Sequence, residues 1–277
     1  MLTLGVSLKA YFGYAETVRW AERVRDAVGA VPGGVEFFVV PSFPVIPRVV
    51  EVLRGSGVLV GAQNIAHDDS GALTGETGGR MLAEIGCSIA EIGHAERRAL
   101  FGENDQLVAL KVAAAYRNGL VPLLCVGESD REHPAAAAEF AIAQLDAALA
   151  QADERGRMIV AYEPRWAIGA AAPADPAHVS AVCIALREHL LALGMDTSPV
   201  LYGGSAGPGL LERLGASVDG LFLGRFAHDP ASVVAVLHEA ARVNGRSDTR
   251  KTAGGPHGEA GGYGGAGSAA RHEEEGL

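Results

Sequence analysis

Three side chains suited to moving protons on a small charged molecule close short apolar runs in this chain. Lys9 follows LGVSL (4–8), His94 follows IAEIG (89–93), and Glu163 ends MIVAYE (158–163). A carboxylate and an imidazole at one cavity can take a proton from one carbon and help return it to the next. A fixed cation beside them offsets the negative charge that develops on oxygen, usually the largest catalytic contribution. Two further runs end in glycine-bearing turns, Gly203-Gly204-Ser205 and Gly224. Backbone N–H groups in such turns are open to a phosphate. The residue types point to a small phosphorylated substrate and proton-transfer chemistry.

These residues need a frame that gathers them at one mouth. Eight apolar runs recur along the chain: 4–8, 35–40, 58–63, 89–93, 120–126, 158–163, 199–204 and 218–224. They lack polar alternation, as strands do when both faces are covered in a parallel sheet. Helical patterns lie between them. Val18, Ala21, Val24, Ala27 and Val28 repeat at three-and-four spacing within 15–30, and 105–118 and 135–151 behave alike. Asp175-Pro176 and Asp229-Pro230 read as helix caps with proline at the first turn. Eight strand-then-helix units in series predict an α/β protein of one domain, a (β/α)8 barrel over 1–244, with its site at the C-terminal strand ends.

Residues 245–277 break the pattern. Ten of these 33 residues are glycine and large aliphatics are almost absent, so the segment is expected to be a disordered tail. The whole chain has 277 residues and a net charge of −10, which argues against a nucleic-acid partner. No apolar run of about 18 residues is present for a membrane span. The start lacks the layout of a signal peptide, and the cytoplasm is the expected location. Cys87, Cys125 and Cys183 are too scattered for a disulfide framework. No cofactor is expected. No metal is expected either: His67, Asp68 and Asp69 form the nearest cluster and read as a solvated or interface loop.

Longer motifs carry a resemblance. EIGHAERRALFGEND (91–105), AYEPRWAIGA (161–170), GAQNIAHDDSGALTGE (61–76), CVGE (125–128) and YGGSA (202–206) resemble those of triosephosphate isomerases, in order, over about 2–243. The resemblance implies that Glu163 is the base and that His94 is a neutral imidazole polarising the carbonyl, favoured by the helix starting near Ala95. Lys9 becomes the fixed cation. Glu96 positions Lys9, the alternative being an ion pair with a neighbour such as Arg97. Pro164–Pro173 is expected to be a lid, with Gly169 donating its N–H to phosphate and Ile168 pressing on Glu163. Phe222 is either the opposite wall or plain barrel packing. The N–H groups of Ser205 and Gly224 complete the phosphate site. The family also implies a homodimer in which the 64–78 loop, with Thr74 at its tip, reaches the neighbour's Lys9.

Five positions depart from the family pattern: Ser7 where asparagine is usual, Ala95 for serine, Arg165 at the lid hinge, Gly-Ala-Ala at the lid tip, and Arg225 for glycine after the last strand. The acid–base residues are intact, while the changed positions line the substrate's oxygen and phosphate ends. Triose phosphate is the first substrate expectation. Ser7 and Arg225 together resemble the branch acting on tetrulose phosphates, notably L-erythrulose 1-phosphate, which is the alternative. Arg225 either grips phosphate or turns outward to an acidic residue. A non-catalytic phosphate-sugar-binding barrel would have to lose Glu163, His94 or Lys9. An aldolase would need a Schiff-base lysine, and the runs from the fourth to the eighth carry none.

Overall fold

The computed structural model describes residues 1–253 except 154, with side chains described through 245. Eight parallel strands close into a barrel in sequence order: β1 (Leu2–Ser7), β2 (Val35–Val40), β3 (Leu59–Ala62), β4 (Ile89–Ile92), β5 (Val121–Val126), β6 (Ile159–Tyr162), β7 (Val200–Tyr202) and β8 (Gly220–Leu223). Closure comes from β1 pairing with both β2 and β8. The intervening helices are α1 (Tyr14–Val28), α2 (Ile46–Leu53), α3 (Gly79–Glu84), α4 (Ala95–Phe101), α5 (Asp105–Arg117), α6 (Pro134–Leu149), α7 (Pro176–Ala192), α8 (Leu210–Leu214) and α9 (Pro230–Ala253).

Alternate strand residues face two different apolar masses. Phe38, Val40, Ile89, Leu123, Cys125, Ile159, Ala161, Leu201 and Phe222 fill the barrel interior. Their neighbours in sequence, such as Phe37, Val39, Ala90, Leu124, Val160 and Leu221, pack outward under the helices. This two-sided burial explains the unalternating strands. Phe38 and Phe222 stack at 6.0 Å between centroids. They occupy the space left by Gly5, where a Cβ would stand 2.2 Å from the Phe38 ring.

The helix starts behave as their caps predict. Asp175 accepts hydrogen bonds from the N–H groups of Ala177 and His178, and Asp229 from that of Ala231. All strands but β2 and β5 end one or two residues before their apolar runs do. Lys9, His94, Glu163, Ser205 and Gly224 therefore stand just past the ladder, where backbone direction is set by turns. The boundary expected at 244 falls inside α9, which continues to Ala253. The rest of the expected tail, 254–277, lies outside the described residues. Among the described residues no helix is long and apolar enough to cross a membrane.

Candidate active site

A cavity of about 650 Å³ opens at the C-terminal ends of the strands. Ser7, Lys9, Glu163, Ser205, Gly224 and Arg225 line it, together with Phe222 and the lid residues Ile168 and Gly169. The types gathered there are those the sequence singled out, and His94 lies against the same wall.

Glu163 leaves β6 with its N–H bonded to the Val126 carbonyl at 2.8 Å. Its side chain is 6% exposed, and Oε2 has no hydrogen-bond partner among the described residues. A buried, unoccupied carboxylate oxygen is costly unless something arrives to use it. Gly203 makes the seat. A Cβ there would stand 2.5 Å from Glu163 Cγ and 2.6 Å from Oε1.

His94 caps α4 and is buried. Its Nδ1 accepts from the Glu96 N–H at 3.1 Å, so a neutral ring carries its proton on Nε2. That nitrogen lies 3.4 Å from Glu163 Oε2 and 3.3 Å from Lys9 Nζ. The ring thus presents an N–H donor beside the base.

Lys9 holds a left-handed backbone, φ 48°, rare for a residue with a side chain. Ser42 Oγ and Gln63 Nε2 each donate to its carbonyl at 3.0 Å and fix that turn. Nζ donates to Glu96 Oε1 at 2.7 Å. Burial works against the ammonium charge, but Glu163, Glu96 and Glu91 outweigh it and hold the group above its ordinary range. Glu96 thus bonds the catalytic-site lysine. The alternative pairing with Arg97 is absent, because Arg97 reaches Glu103 at 2.5 Å. The same Glu103 pairs with buried Lys111, which donates to Asn64. Much of the long motif at 91–105 braces the barrel rather than the chemistry.

The segment expected to be a lid is fastened along its length. Trp166 Nε1 donates to buried Glu128 at 2.8 Å, and the Tyr162 hydroxyl bonds the same carboxylate. The Ala174 N–H donates to the Tyr202 hydroxyl at 2.8 Å. Ser205 Oγ lies 2.9 and 2.8 Å from the carbonyl oxygens of Ala167 and Ala170. Arg225 Nη2 donates to the Gly169 carbonyl at 2.7 Å. Gly169 sits at φ 72°, where its missing Cβ leaves room for the guanidinium. The outward reading of Arg225 is therefore corrected: it forms no ion pair with an acidic residue among the described ones and instead spans β8 and the lid. Phe222 stacks on Phe38 in the barrel and also lines the cavity.

The N–H groups of Gly169, Ser205 and Gly224 have no acceptor among the described residues. Ser205 has the left-handed φ of 48° that turns its amide away from the ladder. Arg165 is exposed and its N–H bonds Glu128. Thr74 is exposed on the 64–78 loop and does not line the cavity. Asp69 in that loop is engaged by Arg117 and Asn118. Ser42 and Gln63 are not singled out in the sequence because each acts on the Lys9 carbonyl, and Glu128 is not because it holds the side chains of Tyr162 and Trp166.

The triosephosphate isomerase family model matches residues 2–240. This chain belongs to that family. It is 50% identical over 254 residues to an L-erythrulose-1-phosphate isomerase of Pectobacterium atrosepticum, covering 89% of this chain and 98% of the relative. A second relative of that name, from Rhizobium etli, is 39% identical over 90% of this chain and 96% of its own length. A triosephosphate isomerase of Synechococcus is 39% identical over 81% of this chain and 89% of its own. Within this isomerase family, the departures at Ser7, Ala95, Arg225 and the lid tip leave Lys9, His94 and Glu163 in place.

Proposed function

We propose that the protein interconverts four-carbon ketose phosphates, with L-erythrulose 1-phosphate as a substrate, by proton transfer through an enediolate. This reverses the order in which the motifs alone rank triose and tetrulose phosphates. The 50% identity to the Pectobacterium relative supports the reversal, as do Ser7 and Arg225 at the two ends of the cavity. The chemistry balances for either substrate. Glu163 takes the proton from the carbon next to the carbonyl and the electron pair moves to the carbonyl oxygen; that oxygen takes up a proton as the neighbouring hydroxyl gives one up, relayed by His94 Nε2, and Glu163, its proton open to exchange with solvent, returns a proton to the former carbonyl carbon. For L-erythrulose 1-phosphate the carbonyl moves from C2 to C3 and the product is a 4-phosphate ketose. His94 Nε2–H and the Lys9 ammonium face the oxygens whose charge grows. The phosphate is held by the N–H groups of Gly169, Ser205 and Gly224.

The observation that carries this reading is the buried Glu163 Oε2 without a hydrogen-bond partner, 3.4 Å from His94 Nε2. Two subunits are proposed to associate through the 64–78 loop. Incubation of L-erythrulose 1-phosphate with the enzyme in deuterium oxide tests the chemistry. One deuterium at the carbon receiving the proton, with none in Glu163→Gln, supports it. A stable substrate with no exchange contradicts it.

A further inference from the structure

A second carboxylate lies beneath the first. Glu91 is on β4, on the inward register shared with Ile89, and it is 3% exposed. Its immediate company is apolar below and reactive above. The groups acting on it are Lys9 beyond β1, His94 at the end of β4, and Glu163 beyond β6. Cys125 on β5 responds to both Glu91 and Glu163, and burial keeps its thiol protonated. Among the described residues no cation pairs with Glu91 directly. Its side chain bonds the Ser7 hydroxyl, with Ser7 Oγ 3.1 Å from Glu91 Oε2. Ser7 in turn lines the cavity. Glu91 enters the roles assigned above only as the last of the influences on the Lys9 ammonium, behind Glu163 and Glu96.

The charge count around it decides its form. Glu163 and Glu96 are carboxylates facing Lys9, and a phosphorylated substrate brings further negative charge. A third bare carboxylate in this buried place would be opposed by all of them. A neutral carboxylic acid there also changes what Ser7 can offer. An ionised Glu91 obliges the Ser7 hydroxyl to donate downward, leaving only lone pairs for the substrate. A protonated Glu91 donates its own O–H to Ser7 Oγ and frees the serine hydrogen to point into the cavity.

We propose that Glu91 carries a proton in the substrate-bound enzyme and acts through Ser7 as a positioning residue, so that the Ser7 hydroxyl donates to a substrate oxygen. Burial, acting more strongly than its charged neighbours, raises the Glu91 carboxyl to about 7, so the proton is in place below neutral pH and half held at pH 7. Serine is shorter than the usual asparagine. It leaves room for the extra hydroxymethyl group of a four-carbon substrate while still supplying a donor. The inference rests on the isomerase reading of this site.

The test compares wild type with E91Q and E91L. Glutamine keeps a neutral donor to Ser7, and leucine keeps the bulk without one. The expected wild-type kcat/KM falls roughly tenfold between about pH 6 and pH 8.5 as the free enzyme loses the Glu91 proton. E91Q should flatten that fall, and E91L should lower kcat/KM about tenfold at the acid end, the worth of one donated hydrogen bond. Identical profiles for wild type and E91Q overturn the proposal. Thermal melting reads the same proton without activity. Unfolded Glu91 ionises near the ordinary 4.5 and folded Glu91 near 7, so rising pH across that window favours the unfolded wild type. The Tm of E91Q minus that of wild type should therefore grow from pH 4.5 to 7 and then level off. A constant difference contradicts the proposal even for an enzyme inactive on every sugar phosphate tried. Inactivity with a growing difference refutes the isomerase reading instead.

Discussion

Gly203→Ala places a methyl group where the Glu163 carboxylate, proposed here as the base, now rests. The three atoms nearest to that methyl all belong to Glu163, at 2.5, 2.6 and 2.9 Å. Comfortable carbon contacts lie at about 3.5–4.0 Å, so the carboxylate must retreat by about 1 Å. A misplacement of that size costs on the order of 100-fold in rate, or about 2.7 kcal/mol in the barrier. The backbone at 203 is not left-handed, and no other group stands nearer to the added atom, so the barrel itself has little to lose. Steady-state turnover at saturating substrate, with thermal melting alongside, measures both effects. The expected result is kcat down about 100-fold with a Tm within a few degrees of wild type. Unchanged turnover would refute the placement of Glu163 as the base held by this seat.

Three other substitutions or measurements follow from the same geometry. Glu163→Asp withdraws the carboxylate by one methylene, and kcat should fall by orders of magnitude with the fold intact by circular dichroism. Arg225→Gly removes the bond to the Gly169 carbonyl and a cation from the phosphate end. It should cost about tenfold in kcat/KM for L-erythrulose 1-phosphate and less for dihydroxyacetone phosphate; equal losses would remove Arg225 from substrate choice. Light scattering at micromolar concentration should give a dimer that Thr74→Arg dissociates, and a fully active monomeric wild type would end the proposed role of the 64–78 loop.

The barrel was legible because each strand is buried on two sides and the longer helices on one, which leaves an apolar run followed by a three-and-four pattern. Strand ends were harder to place. Lys9 and Ser205 leave the ladder through left-handed turns that residues other than glycine rarely adopt, and nothing in their types announces it. Lys9, His94 and Glu163 could be singled out because their chemistry is unusual at the end of an apolar run. Gln63 could not, since its task is to bond the Lys9 carbonyl from a distant strand. Arg225 shows the limit from the other side. The sequence offered phosphate or an acidic partner; the structure shows no acidic partner among the described residues and adds a bond to the Gly169 carbonyl, which depends on the path of the 164–173 segment rather than on any local pattern. Glu91 sat unremarked inside a quoted motif, because a carboxylate facing the barrel interior looks in sequence like any other polar residue of a strand.

The ratio of kcat/KM for L-erythrulose 1-phosphate to that for dihydroxyacetone phosphate, measured on the same purified enzyme, bears most directly on what this site is for. The account predicts a ratio well above one, with both activities lost together in Glu163→Gln. A ratio below one would make triose phosphate the substrate and leave Ser7 and Arg225 without the role proposed for them, while turnover that persists in Glu163→Gln would contradict the mechanism itself.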